Sequence, residues 1–207
     1  MKKKNRRCDA KIKYKAYTLL LTFALSALGA PIESRQSCPD VTVFFARGTT
    51  EPGTLGTIVG PPFQAALQSA LGGRTLDFQG IPYPATIAGF LAGGDRGGAA
   101  TMGNSVTSKA NSCPNTKIVI SGYSQGAQVT HLAAGMLSSA IQNRVNAAVV
   151  FGDPDNGQAF PGPIAGRSKT FCAAGDNICA GGILVLPPHL SYGANAPAAA
   201  SFVVSKI

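Results

Sequence analysis

The apolar strand Lys117-Ile-Val-Ile-Ser121 runs straight into Gly122-Tyr-Ser-Gln-Gly126, and a helical pattern follows from Gln125 to Ala140. A strand that passes directly into a helix is one arm of a βα unit, and repeated units of that kind pack as a parallel sheet between helices. The alternation continues along the chain. Val41-Thr-Val-Phe-Phe45 is a short continuous apolar run, suited to a sheet covered on both faces. Phe63–Leu71 reads as a helix, Thr75–Gln79 as a strand, and Pro82 and Pro84 mark a loop. Gly97–Ser112 is a small-residue helix ending before Cys113-Pro114. Val145–Phe151 is a buried strand, Lys169–Ala173 a last strand and Ala198–Lys206 a closing helix. The 207 residues suffice for one substantial core, and neither a repeat nor a linker marks a second domain.

The composition breaks once, near the N-terminus. Residues 1–15 hold eight Lys or Arg against Asp9, and an apolar run follows over Ala16–Ala30. That run is shorter than the roughly 20 residues a bilayer span requires, and it ends in small residues. The expectation is a secretory signal peptide over 1–30, cut after Gly29 or Ala30, and a single catalytic domain over 31–207 that is secreted. A signal anchor retained in the membrane is the alternative. From Pro31 onward ten Lys or Arg face eight Asp or Glu, a net of +2, so most of the formal +9 leaves with the signal. Scattered single charges give no basic patch, which argues against a nucleic-acid partner.

Cys8 lies in the signal, leaving Cys38, Cys113, Cys172 and Cys179. An even number in an exported chain implies disulfides, with three possible connectivities. Proximity favours Cys172–Cys179, which leaves Cys38–Cys113. The chain-entropy argument assigns about 2.5 kcal/mol to the short loop and about 4.5 kcal/mol to the long one. The spacings are not those of a zinc site, and no metal is expected.

The chemistry centres on Ser124. In G-x-S-x-G the serine occupies a strained strand-to-helix turn that lifts its hydroxyl above the sheet. Gly122 and Gly126 are expected to be glycine because a side chain there would collide with backbone. The helix after Ser124 aims its free N–H groups and dipole at the site, where they favour an oxyanion. A serine hydroxyl also needs a base to take its proton. His131, seven residues along the same helix, is about 10 Å away along the axis and out of reach. His189, in a loop near the C-terminus, follows the order serine, acid, histidine. For the acid, the rigidity of a small disulfide loop favours Asp176 over Asp153, which follows a strand in turn-like sequence.

Five pieces of the chain resemble the fungal cutinase family, in the family's order and over nearly the whole mature chain. They are Ala46-Arg-Gly-Thr-Thr-Glu51, Gly122-Tyr-Ser-Gln-Gly126, Cys172-Ala-Ala-Gly-Asp-Asn-Ile-Cys179, Pro188-His-Leu-Ser-Tyr192, and the placement of Cys38 and Cys113. The resemblance implies a small α/β-hydrolase fold: a mostly parallel sheet of about five strands, helices on both faces and no large lid. It implies Asp176 as the acid, and the backbone N–H groups of Thr49 and Gln125 as the oxyanion hole. Thr49 stands where many cutinases carry a serine whose hydroxyl adds a third donor, and its restricted χ1 would aim that donor differently. No metal or organic cofactor is required.

The same resemblance places Ile87 on one crevice edge and Ile183, Val185 and Leu190 on the other. Apolar edges suit fatty acyl chains and a hydrophobic polymer such as cutin, or a lipid-like ester. A monomer without stable membrane insertion is the expected form. Two alternatives stand beside this reading. Acetylxylan esterases share the elbow, but are richer in cysteine and typically read His-Gln-Gly-Tyr in the histidine loop. A non-catalytic surface or wall-associated protein would show a lost triad member or a broken elbow, and neither is seen.

Overall fold

The computed structural model describes residues 38–207. The signal peptide expected over 1–30 lies outside the described residues. No helix among the described residues is long and apolar enough to cross a membrane.

Five strands form one sheet: β1 (Val41–Ala46), β2 (Leu76–Gly80), β3 (Lys117–Tyr123), β4 (Val145–Phe151) and β5 (Ser168–Phe171). Their order across the sheet is β2-β1-β3-β4-β5, and every neighbouring pair is parallel. Parallel strands need crossover connections, which here carry α1 (Gly60–Ala70), α3 (Arg96–Ser112) and α4 (Gln125–Met136). The chain closes with α6 (Ala196–Val204).

Side-chain alternation along the strands divides the interior into two cores. Phe44, Ile118, Ile120, Ala148 and Val150 face α3 and α4, packing on Met102, Val106, Val129 and Ala133. Val43, Phe45, Val119, Val149 and Phe151 face the other way, against Phe63 and Leu67 of α1 and Ala199 and Val203 of α6. Both faces of the central strands are therefore covered, as their unbroken apolar runs predict. The β3–β4 register shifts between Ile118 and Val119, where Asn146 Oδ1 accepts from the Ile118 N–H at 3.1 Å.

Two elements depart from the sequence reading. The helix expected over 125–140 ends at Met136, because Leu137 turns extended (φ −73°, ψ 137°) and Ser138 caps a new short helix, α5 (Ser139–Gln142). Apolar periodicity continues through this break, so it does not register in the pattern. The loop after Pro84 contains another short helix, α2 (Ile87–Leu91), capped by Thr86 Oγ1, which accepts from the Gly89 N–H at 3.0 Å.

The strand order reverses direction beside β1 and β3, one connection leading outward to β2 and the other toward β4. A parallel sheet opens a crevice at such a point, beyond the carboxyl ends of its strands. Ala46 and Gly122 are register partners there, so the Arg47–Glu51 loop and Ser124 emerge side by side.

Candidate active site

Ser124 sits between the end of β3 and the first turn of α4 with φ 56° and ψ −122°, a strained conformation for a residue with a side chain. Its N–H donates to the Phe151 carbonyl at 2.9 Å, and its own carbonyl accepts from Ala127 N–H at 2.8 Å. The turn is thus pinned to β4 on one side and to the helix on the other. A methyl group on Gly122 would strike the Gly126 carbonyl, and one on Gly126 would strike the Ala46 carbonyl. Both glycines meet the steric expectation.

His189 lies on a single 3₁₀ turn, Pro187–Leu190, and its side chain is buried. Nδ1 is 2.8 Å from Asp176 Oδ2. The Asp176 carboxylate also accepts from Tyr192 Oη–H at 2.6 Å, and its Oδ1 accepts from Ile178 N–H at 3.0 Å. Burial pushes the Asp176 carboxyl upward. The hydrogen bonds from Tyr192, His189 and Ile178, with the attraction of His189, outweigh burial and hold it below the ordinary carboxylate value. Tyr123 Oη–H donates to the His189 carbonyl at 2.8 Å, and its ring lies 5.1 Å from the imidazole. Gly152 (φ +53°) lets the chain pass close behind the ring, since a Cβ there would come within 2.8 Å of His189 Cε1. The imidazole is held on all these sides, and Nε2 alone is left without a hydrogen-bond partner among the described residues. It makes no hydrogen bond to Ser124 Oγ in this geometry; such bonds are often long in unliganded sites and tighten in the reacting complex.

Asp153, the other acid weighed from sequence, is engaged elsewhere. Its Oδ2 lies 2.9 Å from His131 Nε2, and the His131 ring stacks on Phe160 at 3.9 Å. This second histidine–carboxylate pair ties α4 to the turn after β4. The two expected disulfides, Cys38–Cys113 and Cys172–Cys179, are both formed, and the second closes the loop that carries Asp176.

Ser124 and His189 open on one crevice of about 570 Å³. Thr49 lines it too, and the backbone N–H groups of Thr49 and Gln125 donate to no other group among the described residues. Glu51 shapes the Thr49 loop: its carboxylate accepts from Gly48 N–H at 2.7 Å and from Thr57 and Ile58 N–H at 2.9 Å. All four residues expected at the crevice edges line it, with Ile87 62%, Ile183 66%, Val185 61% and Leu190 52% exposed. The structure adds Ile58, Phe90, Leu91 and Ile178 to the apolar wall. Leu91 follows Ile87 at helical spacing, a signal present in the sequence but hidden by the adjacent prolines. Tyr192 carries no sequence signal of its function beyond its place in the histidine loop.

The family model for cutinase matches residues 37–207. The chain belongs to the cutinase family. A cutinase of Botryotinia fuckeliana is 56% identical over 186 residues, covering 88% of this chain and 92% of that protein. The structure of Trichoderma reesei cutinase in complex with a phosphonate inhibitor superposes with a TM-score of 0.78 at 48% identity, covering 81% of this chain and 76% of that one. An acetylxylan esterase structure is more distant, with a TM-score of 0.67 at 30% identity, covering 82% of this chain and 99% of that one. These relationships make the protein a carboxylic ester hydrolase with the α/β fold of cutinases.

Proposed function

We propose that this cutinase-family enzyme hydrolyses cutin-type polyesters and short to medium acyl esters through a triad of Ser124, His189 and Asp176. The observation that carries the proposal is the buried His189–Asp176 pair, whose free Nε2 shares a crevice with the strained Ser124. His189 takes the Ser124 proton as Oγ attacks the ester carbonyl. Asp176 holds the proton on Nδ1 and stabilises the imidazolium. The tetrahedral oxyanion is received by the N–H groups of Thr49 and Gln125, at the positive end of α4. Collapse expels the alcohol, which takes its proton from His189, and leaves an acyl-enzyme on Ser124. Water, deprotonated by the same histidine, releases the acid.

The apolar walls favour an aliphatic acyl chain over a small acetyl group on a sugar. Five exposed aliphatic side chains at the rim, Ile87, Leu91, Ile183, Val185 and Leu190, would sit against an insoluble apolar polymer more readily than against a hydrated polysaccharide. The two disulfides agree with an oxidising, extracellular setting. The triad and crevice lie within one chain, which supports action as a monomer. Product analysis on insoluble cutin and on acetylated xylan, side by side, tests the substrate class. Release of hydroxy fatty acids from cutin is expected. Activity confined to acetyl groups of xylan would assign the enzyme to the acetylxylan esterase reading.

A further inference from the structure

The side chain of Gln125 makes contacts of its own, apart from the backbone N–H expected in the oxyanion hole. Gln125 is fully buried. Its Nε2 lies 2.6 Å from the Thr86 carbonyl oxygen and 2.9 Å from Thr49 Oγ1. A backbone carbonyl only accepts, so the end of the amide facing Thr86 is the NH2 group. One N–H serves Thr86, and the other points at Thr49. An amide nitrogen has no lone pair to offer, so the Thr49 hydroxyl is the acceptor in this contact. Its own proton is then left over, on a side chain that lines the crevice with Ser124. The β-branched threonine has few χ1 wells available, so a fixed acceptor direction also fixes where that proton can point.

Gln125 Oε1 is buried and has no hydrogen-bond partner among the described residues. An orphaned buried carbonyl oxygen is costly, and such a cost persists where the group has another task. Flipping the amide would oppose Oε1 to the Thr86 carbonyl oxygen. The orientation is therefore held from the Thr86 side, at the residue that caps α2 and its crevice residues Ile87 and Leu91.

We propose that the Gln125 carboxamide is a positioning residue for ester hydrolysis: by donating to Thr49 Oγ1, it keeps the Thr49 hydroxyl proton free for the oxyanion that forms on the substrate. The proposal rests on the reading of Ser124 as nucleophile given above. It assigns the side chain a task separate from the Gln125 backbone N–H, which methionine and glutamate at this position both retain.

A double-mutant cycle in the full-length enzyme tests it, using steady-state hydrolysis of p-nitrophenyl butyrate. Thr49→Val removes the hydroxyl and keeps the shape; kcat is expected to fall by about 100-fold, with KM changed less than about three-fold. Gln125→Met removes the donor and is expected to lower kcat by about 10-fold or more, but no further than Thr49→Val. In the Thr49→Val background, Gln125→Met should cost no more than about two-fold. Gln125→Glu keeps the shape and replaces the donor by an acceptor that draws the Thr49 proton to itself. It is expected to be at least as slow as Gln125→Met, and it carries the same cycle if the methionine variant does not fold. Effects that multiply in the double variant would overturn the proposal, as would wild-type kcat in Gln125→Met. Turnover surviving in Ser124→Ala would instead overturn the triad reading, so the two failures are distinguishable.

Discussion

Tyr192 Oη and His189 Nδ1 meet the same oxygen of Asp176, at 2.6 and 2.8 Å. The phenol also accepts from the Ala173 N–H at 2.8 Å, so it links the Asp176 carboxylate to the disulfide loop that carries it. Burial, and then the bond to Asp176, push the Tyr192 hydroxyl well above its ordinary value, and it remains a donor at any working pH. Tyr192→Phe removes one donor from Asp176 and strands a backbone N–H. A stability loss of about 1–3 kcal/mol is expected by denaturant titration. A several-fold lower kcat is expected alongside it, because Asp176 then holds the imidazole less firmly.

The Cys172–Cys179 bridge is expected to matter for rate as well as for stability. Replacing both cysteines by serine should cost about 2.5 kcal/mol of stability. The Asp176 loop then loses its closure, so kcat should fall while KM on a soluble ester stays close to wild type. Equal kcat in the two proteins would show that the loop is positioned without its bridge.

The second histidine–carboxylate pair gives the opposite pattern. His131→Ala leaves Asp153 without its imidazole partner at a buried position, where its remaining side-chain bond is to Asp155 N–H at 2.9 Å. Breaking a buried pair on one side costs about 3–5 kcal/mol at the upper end. The expected result is a lower Tm with kcat unchanged within about two-fold, since neither residue lines the crevice.

Acid sensitivity follows from two carboxylates. Asp40, hydrogen-bonded by Thr75 N–H and Oγ1–H, and Asp176, in its own network, both lie below the ordinary value of 3.8. A carboxylate with a depressed folded pKa stabilises the protein above its unfolded value, and that stability is lost as pH falls through the folded value. Tm should therefore hold from neutral pH down to about 5 and fall below about 4. Asp155 has the reverse sign. Burial pushes its carboxyl up, ahead of the attraction of His131 and the repulsion of Asp153, so its ionisation costs stability. Asp155→Asn should raise Tm at pH 7, and the gain should vanish below the ordinary carboxylate range.

Much of this architecture was legible in the sequence for local reasons. The strands are short unbroken apolar runs because both faces of the sheet are covered, and each sits within about two residues of its expected place. Ser124 was readable because its turn forces glycine on both sides. The His189 assignment rested on excluding His131 by distance, and the structure places His131 against Asp153 instead. What stayed hidden depends on contacts between distant segments. Tyr192 meets Asp176 across 16 residues, and the Gln125 amide joins Thr49 to Thr86 across 76 and 39 residues; no periodicity encodes such meetings. The break of the long helix at Leu137 was missed because the apolar spacing carries on through it.

The proposed mechanism requires that Ser124 be the residue acylated during ester hydrolysis. A p-nitrophenyl alkylphosphonate stops at the first covalent step, so inactivation followed by peptide mass mapping reads the nucleophile directly. One phosphonyl group per chain is expected, on Ser124 in the tryptic peptide spanning residues 118–144, with no labelling or turnover in Ser124→Ala. Modification at another residue, or ester hydrolysis persisting in a folded Ser124→Ala protein, would contradict it.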